Sequence, residues 1–162
     1  MEFTRYGLVY QLKCSQTLPI PLDEAWAFLS RPENLKTITP EYMSFDILSG
    51  GDTEMYPGQI IQYIVTPVLG IKTHWVTEIT HVKDNSYFVD EQRFGPYKLW
   101  HHKHILKPGI HGTEMEDIID FKLPIGILGR FIFPLLIKPK LTEIFQYRRK
   151  KLEELFGSPQ RT

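Results

Sequence analysis

Two histidines stand two residues apart in the run Tyr97 to Leu106, at His102 and His104. In a strand, residues i and i+2 point to the same side, so both imidazoles share a face with Trp100 and Leu106. Upstream, Phe88, Asp90, Gln92 and Phe94 alternate in the same way; downstream, Met115, Asp117, Ile119, Phe121 and Leu123 do so. The downstream run is the clearest. Glu114, Glu116, Asp120 and Lys122 occupy its other face, so the apolar side points inward and takes Asp117 with it. The Trp100 side is then inward as well, because the alternative buries Lys103. A further ionisable group, Arg148, falls among Leu141, Ile144, Phe145 and Leu152 on the apolar face of a C-terminal helix.

These residue types bring several kinds of chemistry. An imidazole beside a carboxylate can move a proton and polarise a bound carbonyl or phenol, which makes His102, His104 and Asp117 the catalytic candidates. The His102-x-His104 pair also has a spacing compatible with a shared metal, its third ligand drawn from Asp90, Asp117 or His74. With six histidines scattered through the chain, the expectation is hydrogen-bonded cavity histidines, no metal and no cofactor. Arg148 needs an anion, since desolvating a guanidinium alone costs several kcal/mol. Asp117 or Asp90 can supply it from the sheet, or a ligand carboxylate can. Trp75, Trp100 and Phe121 are the expected apolar ligand contacts, and Asp90, Gln92, His102, His104, Asp117 and Arg148 the expected polar end. Nucleophilic catalysis finds little support: no Gly-x-Ser-x-Gly elbow is present, and Cys14 reads as a small buried apolar residue. No phosphate-binding or dinucleotide-binding glycine pattern occurs either.

The elements that must position these side chains follow from the alternation. Tyr6 to Leu18 reads as a strand closed by Pro19 and Pro21, and Leu22 to Ser30 as a short helix with Asp23 and Glu24 in its first turn. A second helical turn begins at Pro32. Met43 to Leu48, Gln59 to Pro67, Ile71 to Val82, Tyr87 to Phe94, Tyr97 to Leu106 and Thr113 to Leu123 are β-rich runs divided by short Gly, Pro, Asn and Asp turns. Short connections make antiparallel hairpins. The expected fold is α+β: a strongly curved seven-stranded antiparallel sheet wrapped around a long C-terminal helix, with two short helices between strands 1 and 2. Leu141, Ile144, Phe145, Leu152, Leu155 and Phe156 form the helix's apolar face. A twisted sheet covered by a single helix leaves room for a ligand-sized hollow.

Composition bounds the partners. The chain has 162 residues, 42% apolar, with 19 Lys+Arg against 19 Asp+Glu. That length suits one domain over residues 1–162, with a core of about 6–156 and a tail at 157–162. Zero net charge leaves no footprint for nucleic acid. A single cysteine rules out an internal disulfide, and the opening residues lack a secretory pattern, so a cytoplasmic address is expected. The apolar stretch Leu123 to Ile137 is broken by two prolines, two glycines and Arg130, so integral membrane association is not expected. The same stretch, beside a C-terminal excess of basic residues, permits a peripheral membrane or partner contact.

The opening Leu18-x-x-Pro21-x-x-x-x-Trp26-x-Phe28-Leu29-Ser30 and the order of elements resemble the START/SRPBCC helix-grip superfamily, over about Tyr6 to Phe156. The run Phe88-Val89-Asp90-Glu91-Gln92-x-x-Gly95-Pro96-Tyr97-x-x-Trp100-x-His102-x-His104 is similar to a bacterial subgroup of ligand-binding, polyketide cyclase-like SRPBCC proteins. Asp117, Leu123-Pro124-x-Gly126 and Tyr147-Arg148 extend that similarity. The resemblance implies a cavity between sheet and last helix for a small hydrophobic or amphipathic molecule of lipid, polyketide or aromatic type. It implies no particular reaction; a cofactor-independent cyclase, dehydratase or hydrolase is the alternative.

Overall fold

The computed structural model describes residues 1–66, 70–124 and 129–158. Pro67, at the end of one expected strand, and 125–128 within the 123–137 apolar segment lie outside the described residues. The chain forms β1 (Glu2–Tyr6), β2 (Val9–Leu18), α1 (Leu22–Leu29), α2 (Pro32–Thr37), β3 (Asp46–Ser49) and β4 (Gln59–Val65). It continues with β5 (Thr73–Lys83), β6 (Tyr87–Phe94), β7 (Leu99–Gly109) and β8 (Gly112–Lys122). A helical segment follows: α3 (Gly129–Ile132), a π turn (Phe133–Ile137) and α4 (Lys138–Phe156).

All strands join one antiparallel sheet in the order β1-β2-β8-β7-β6-β5-β4-β3. Hairpins supply most neighbours, and the chain crosses once, from β2 through α1 and α2 to the far edge. The sheet has eight strands rather than the expected seven. The extra one is β1, which precedes the expected first run: Gly7 takes φ +63°, which a glycine adopts freely, and turns β1 back on β2 with Tyr6 opposite Val9. Leu8, within the expected first strand, is therefore at an exposed turn. The two short helices accordingly lie between the second and third strands.

Alternation decides which face is buried. Tyr10, Leu12 and Leu18 of β2 and Met115, Asp117, Ile119 and Phe121 of β8 are buried, with their neighbours wetter. Helix α4 lies against this concave face. Its Leu152 joins Ala25, Trp26 and Leu29 of α1 in one apolar group, while Leu141 and Phe145 join Tyr10, Ile119 and Phe121 in another. Arg148 lies in α4 between those two sets. Leu155, expected on the apolar face, is 47% exposed, whereas Phe156 beside it packs edge-on against Phe28 of α1. Pro139 offers no N–H to the carbonyl four residues back and its ring crowds that turn, which accounts for the ladder widening to a π turn at Phe133–Ile137.

Candidate functional site

Five ionisable side chains meet in the middle of the concave face. Across β8, β7 and β6 the register sets Asp117 opposite His104, and His104 opposite Phe88; one step along, Ile119 faces His102, and His102 faces Asp90. The hydrogen bonds run along the diagonals of this grid. His102 Nε2 donates to Asp117 Oδ1 at 3.0 Å, and His104 Nε2 donates to Asp90 Oδ2 at 2.7 Å. Diagonal neighbours in a sheet are far apart at the backbone, so long side chains such as imidazole are needed to bridge them. The two rings lie 3.7 Å apart between centroids, and Phe88 stacks on His104 at 4.1 Å. His104 Nδ1 stands 3.0 Å from the same Asp117 oxygen but off the hydrogen-bonding line. His102 Nδ1 stands 3.5 Å from Asp90 Oδ2.

From the helix side, Arg148 Nη1 approaches Asp117 Oδ1 at 3.5 Å. Asp117 is 1% exposed and Arg148 7% exposed, so this pair is taken out of water on both sides. The anion expected for Arg148 is thus Asp117. Burial would raise the Asp117 carboxyl, yet the Arg148 guanidinium and both imidazoles hold it well below the usual carboxylate range. Burial also opposes ionisation of Asp90, and the two imidazoles reverse that, keeping it below its ordinary value. Burial and the neighbouring His104 pull His102 down. His104, although burial works against its charge, is held above its ordinary value by the adjacent Asp117 carboxylate and by its hydrogen bond to Asp90. Each buried carboxylate thus has an imidazole N–H donating to it, and Asp117 has the Arg148 guanidinium as well, which is how this cluster tolerates burial.

A cavity of about 170 Å³ opens against the cluster, between the sheet, α2 and α4. Asp90, His102, His104 and Arg148 form its polar end; Phe45, Ile61, Tyr63, Trp75, Trp100 and Phe145 are among its apolar walls. Of the residues expected to contact a ligand, Trp75, Asp90, Trp100, His102, His104 and Arg148 line this cavity. Asp117 stands behind the histidines and faces a second hollow between β2 and α4. Phe121 is fully buried and backs Trp100 at 5.9 Å between ring centroids instead of reaching the cavity. Gln92 is occupied elsewhere: its Nε2 donates to the Tyr97 carbonyl at 2.6 Å and its Oε1 accepts from the Tyr97 N–H at 3.1 Å, clamping the Gly95-Pro96 turn. His74, weighed as a third metal ligand, is exposed on the outer side of β5, and on the outer side of β7 His101 pairs with Glu91 of β6 at 2.8 Å.

Sequence reasoning missed Tyr63 and Thr77, whose hydroxyls bond at 2.6 Å in the cavity wall. Their alternation with Ile61, Val65, Trp75 and Ile79 carries the signal. Leu35, Ile38, Met43 and Phe45 also line the cavity, from α2 and the loop after it, where no period exists to reveal them. Three buried nitrogens of the lining residues, the Trp75 indole N–H, Arg148 Nε and His104 Nδ1, have no hydrogen-bond partner among the described residues. Burial pushes the Cys14 thiol up to about 12, so it stays protonated and is no nucleophile.

Residues 18–143 match the family model described as polyketide cyclase / dehydrase and lipid transport. This chain belongs to that family. No curated protein matches it by sequence. Among solved structures, the fold is shared with ginseng major latex-like protein 151 from Panax ginseng (TM-score 0.68, 13% identity, covering 93% of this chain and 99% of that one). It is shared too with a Chromobacterium violaceum protein (TM-score 0.67, 16% identity, 91% and 97% covered) and one from Thermus thermophilus (0.65, 16%, 89% and 94%). As a member of the polyketide cyclase / dehydrase and lipid transport family, the chain has the helix-grip architecture, and its hollow lies between sheet and last helix. No helix among the described residues is long and apolar enough to cross a membrane. Phe131 and Leu135 in the apolar segment before α4 are exposed.

Proposed function

We propose that this protein binds a small amphipathic molecule, an apolar body with one anionic or strongly polar oxygen end, in the cavity between the sheet and α4. The observation that carries the reading is the polarity of that cavity: aromatic and aliphatic walls, with Asp90, His102, His104 and Arg148 gathered at one end. The unpartnered Trp75 N–H and Arg148 Nε support it, since a buried donor left without an acceptor costs about 1–3 kcal/mol and a ligand oxygen would relieve that. A molecule with an aromatic or short aliphatic body fits the volume. The family's description supports the same class of ligand.

The test is tryptophan fluorescence, with Trp75 and Trp100 in the walls as reporters, under titration with 2-naphthoate and decanoate. Saturable quenching is expected, and native mass spectrometry of protein purified from its own cells should show a co-purifying molecule. A flat titration together with an empty native spectrum would overturn the reading.

A second reading has an observation of its own. The proton on His104 Nε2 lies between that atom and Asp90 Oδ2 over 2.7 Å at the cavity wall, where a bound carbonyl or phenol can compete for it. On that reading the protein is a cyclase, dehydratase or hydrolase with His104 as acid. His104→Gln would then abolish turnover and leave binding of the same compound within about tenfold.

A further inference from the structure

Asp90, His102 and His104 each offer one ligand atom, and the three atoms lie within 4.8 Å of one another. Asp90 Oδ2 is 2.7 Å from His104 Nε2 and 3.5 Å from His102 Nδ1. Two donors on a tetrahedral ion with bonds of about 2.05 Å stand about 3.3 Å apart, so the two edges that start from Asp90 fall on either side of that value. The remaining ring nitrogens point the other way, His102 Nε2 donating to Asp117 at 3.0 Å and His104 Nδ1 standing 3.0 Å from the same oxygen. Metal-binding imidazoles are held with one nitrogen on the ion and the other donating to a carboxylate behind it, an arrangement that His102 has and that His104 approaches in distance. Arg148, in turn, keeps Asp117 in place at 3.5 Å. All three donors line the cavity, and Asp117 does not, so the open coordination positions face the space for a ligand.

We propose that Asp90, His102 and His104 bind a divalent transition ion of borderline softness, of the Zn²⁺ or Fe²⁺ class, with its free positions turned into the cavity. Two imidazoles and a carboxylate select such ions over Mg²⁺ or Ca²⁺, which take oxygen-rich sets. Charge counting identifies what fills the open position. With both imidazoles neutral, Asp90, Asp117 and Arg148 sum to one negative charge, and a dication brings the total to one positive. An anionic oxygen donor closes it to zero, so the site takes an enolate, phenolate or carboxylate, or hydroxide in its absence. The sequence alone favoured histidines without a metal; the placement of Asp90 and Asp117 on opposite sides of both rings is what changes the assignment. The ion goes beyond the ligand-binding reading, because it is measured with no organic ligand present.

The experiment uses the full chain, stripped with a chelator, with Zn²⁺ and Co²⁺ as the probes. Calorimetric titration should show one Zn²⁺ per chain. His101→Gln, on the outer face, should leave affinity unchanged. Asp117→Asn should weaken it by about 10–100-fold, as outer partners of metal-bound histidines do, and His104→Gln by more than that. Circular dichroism identifies any variant that has unfolded. Wild-type protein gives a second readout that needs no variant: Co²⁺ in a four- or five-coordinate site with two imidazoles shows intense visible bands, while six-coordinate surface Co²⁺ is pale. Absence of Zn²⁺ uptake, equal uptake by folded His104→Gln, or a pale Co²⁺ spectrum would each overturn the proposal. Naphthoate quenching of the stripped protein reports on the ligand-binding reading separately, so either can fail alone.

Discussion

Asp117 accepts from one imidazole, faces the second and pairs with a guanidinium, all while 1% exposed. Removing one partner of such a group leaves the others' charge stranded, which costs about 3–5 kcal/mol, more than the pair itself contributes relative to an apolar replacement. Arg148→Met is therefore expected to destabilise by that order in the wild-type background and by clearly less in Asp117→Asn, as measured by urea unfolding of the four proteins in a double-mutant cycle. Equal costs in both backgrounds would mean that Arg148 acts by packing on Phe145 alone. This residue was legible in the sequence because a cation interrupting an apolar helix face has few physical explanations. Gln92 misled for the opposite reason. An amide shares a face with Asp90 as readily when it closes a local turn as when it meets a ligand, and periodicity does not distinguish the two.

At the scale of elements, alternation marked most of the strands and the short turns their antiparallel pairing, and alternation pointed to the inner faces of β6, β7 and β8 with their ionisable residues. It did not reveal β1, whose single inward aromatic, Phe3, is too short a pattern to register, nor the lining from the α2 loop. Closure of the structure depends on one further local feature, the turn between β7 and β8. Gly112 has φ +120°, and a Cβ there would overlap the Leu18 carbonyl and crowd Ile20, where Thr113 Oγ1 donates to the Ile20 carbonyl at 2.9 Å. Gly112→Ala is expected to cost at least about 1–3 kcal/mol through backbone strain alone. Ser86, in the β5–β6 turn and intermediate in burial, offers a control, and Ser86→Ala should stay within about 1 kcal/mol. Thermal unfolding separates the two, and equal shifts would show that the β7–β8 turn does not pin β2.

For the whole molecule, the concave sheet and α4 enclose space instead of meeting in a continuous core. A cavity of about 170 Å³ would forgo about 4 kcal/mol of packing at ~24 cal/mol per Å³ if it were lined wholly by apolar groups, and its polar end lowers that figure. The fold tolerates that because most of the groups around α1 and around Phe121 pack away from the cavity, while the group around Trp75 forms its wall. Filling the space should therefore act in two distinguishable ways. A ligand at 100 times its dissociation constant adds about 2.7 kcal/mol, which for a chain of this size raises Tm by about 5–10 °C. Ile144 lines the same space from α4, so Ile144→Trp places an indole where the ligand would lie. In a filled core such an enlargement costs about 1–3 kcal/mol; here Tm should change little, and the stabilisation by 2-naphthoate should disappear. Differential scanning calorimetry of both proteins with and without naphthoate decides the matter. A large drop in Tm for unliganded Ile144→Trp would place packed side chains where the cavity is drawn, while retained stabilisation by naphthoate would place the ligand elsewhere.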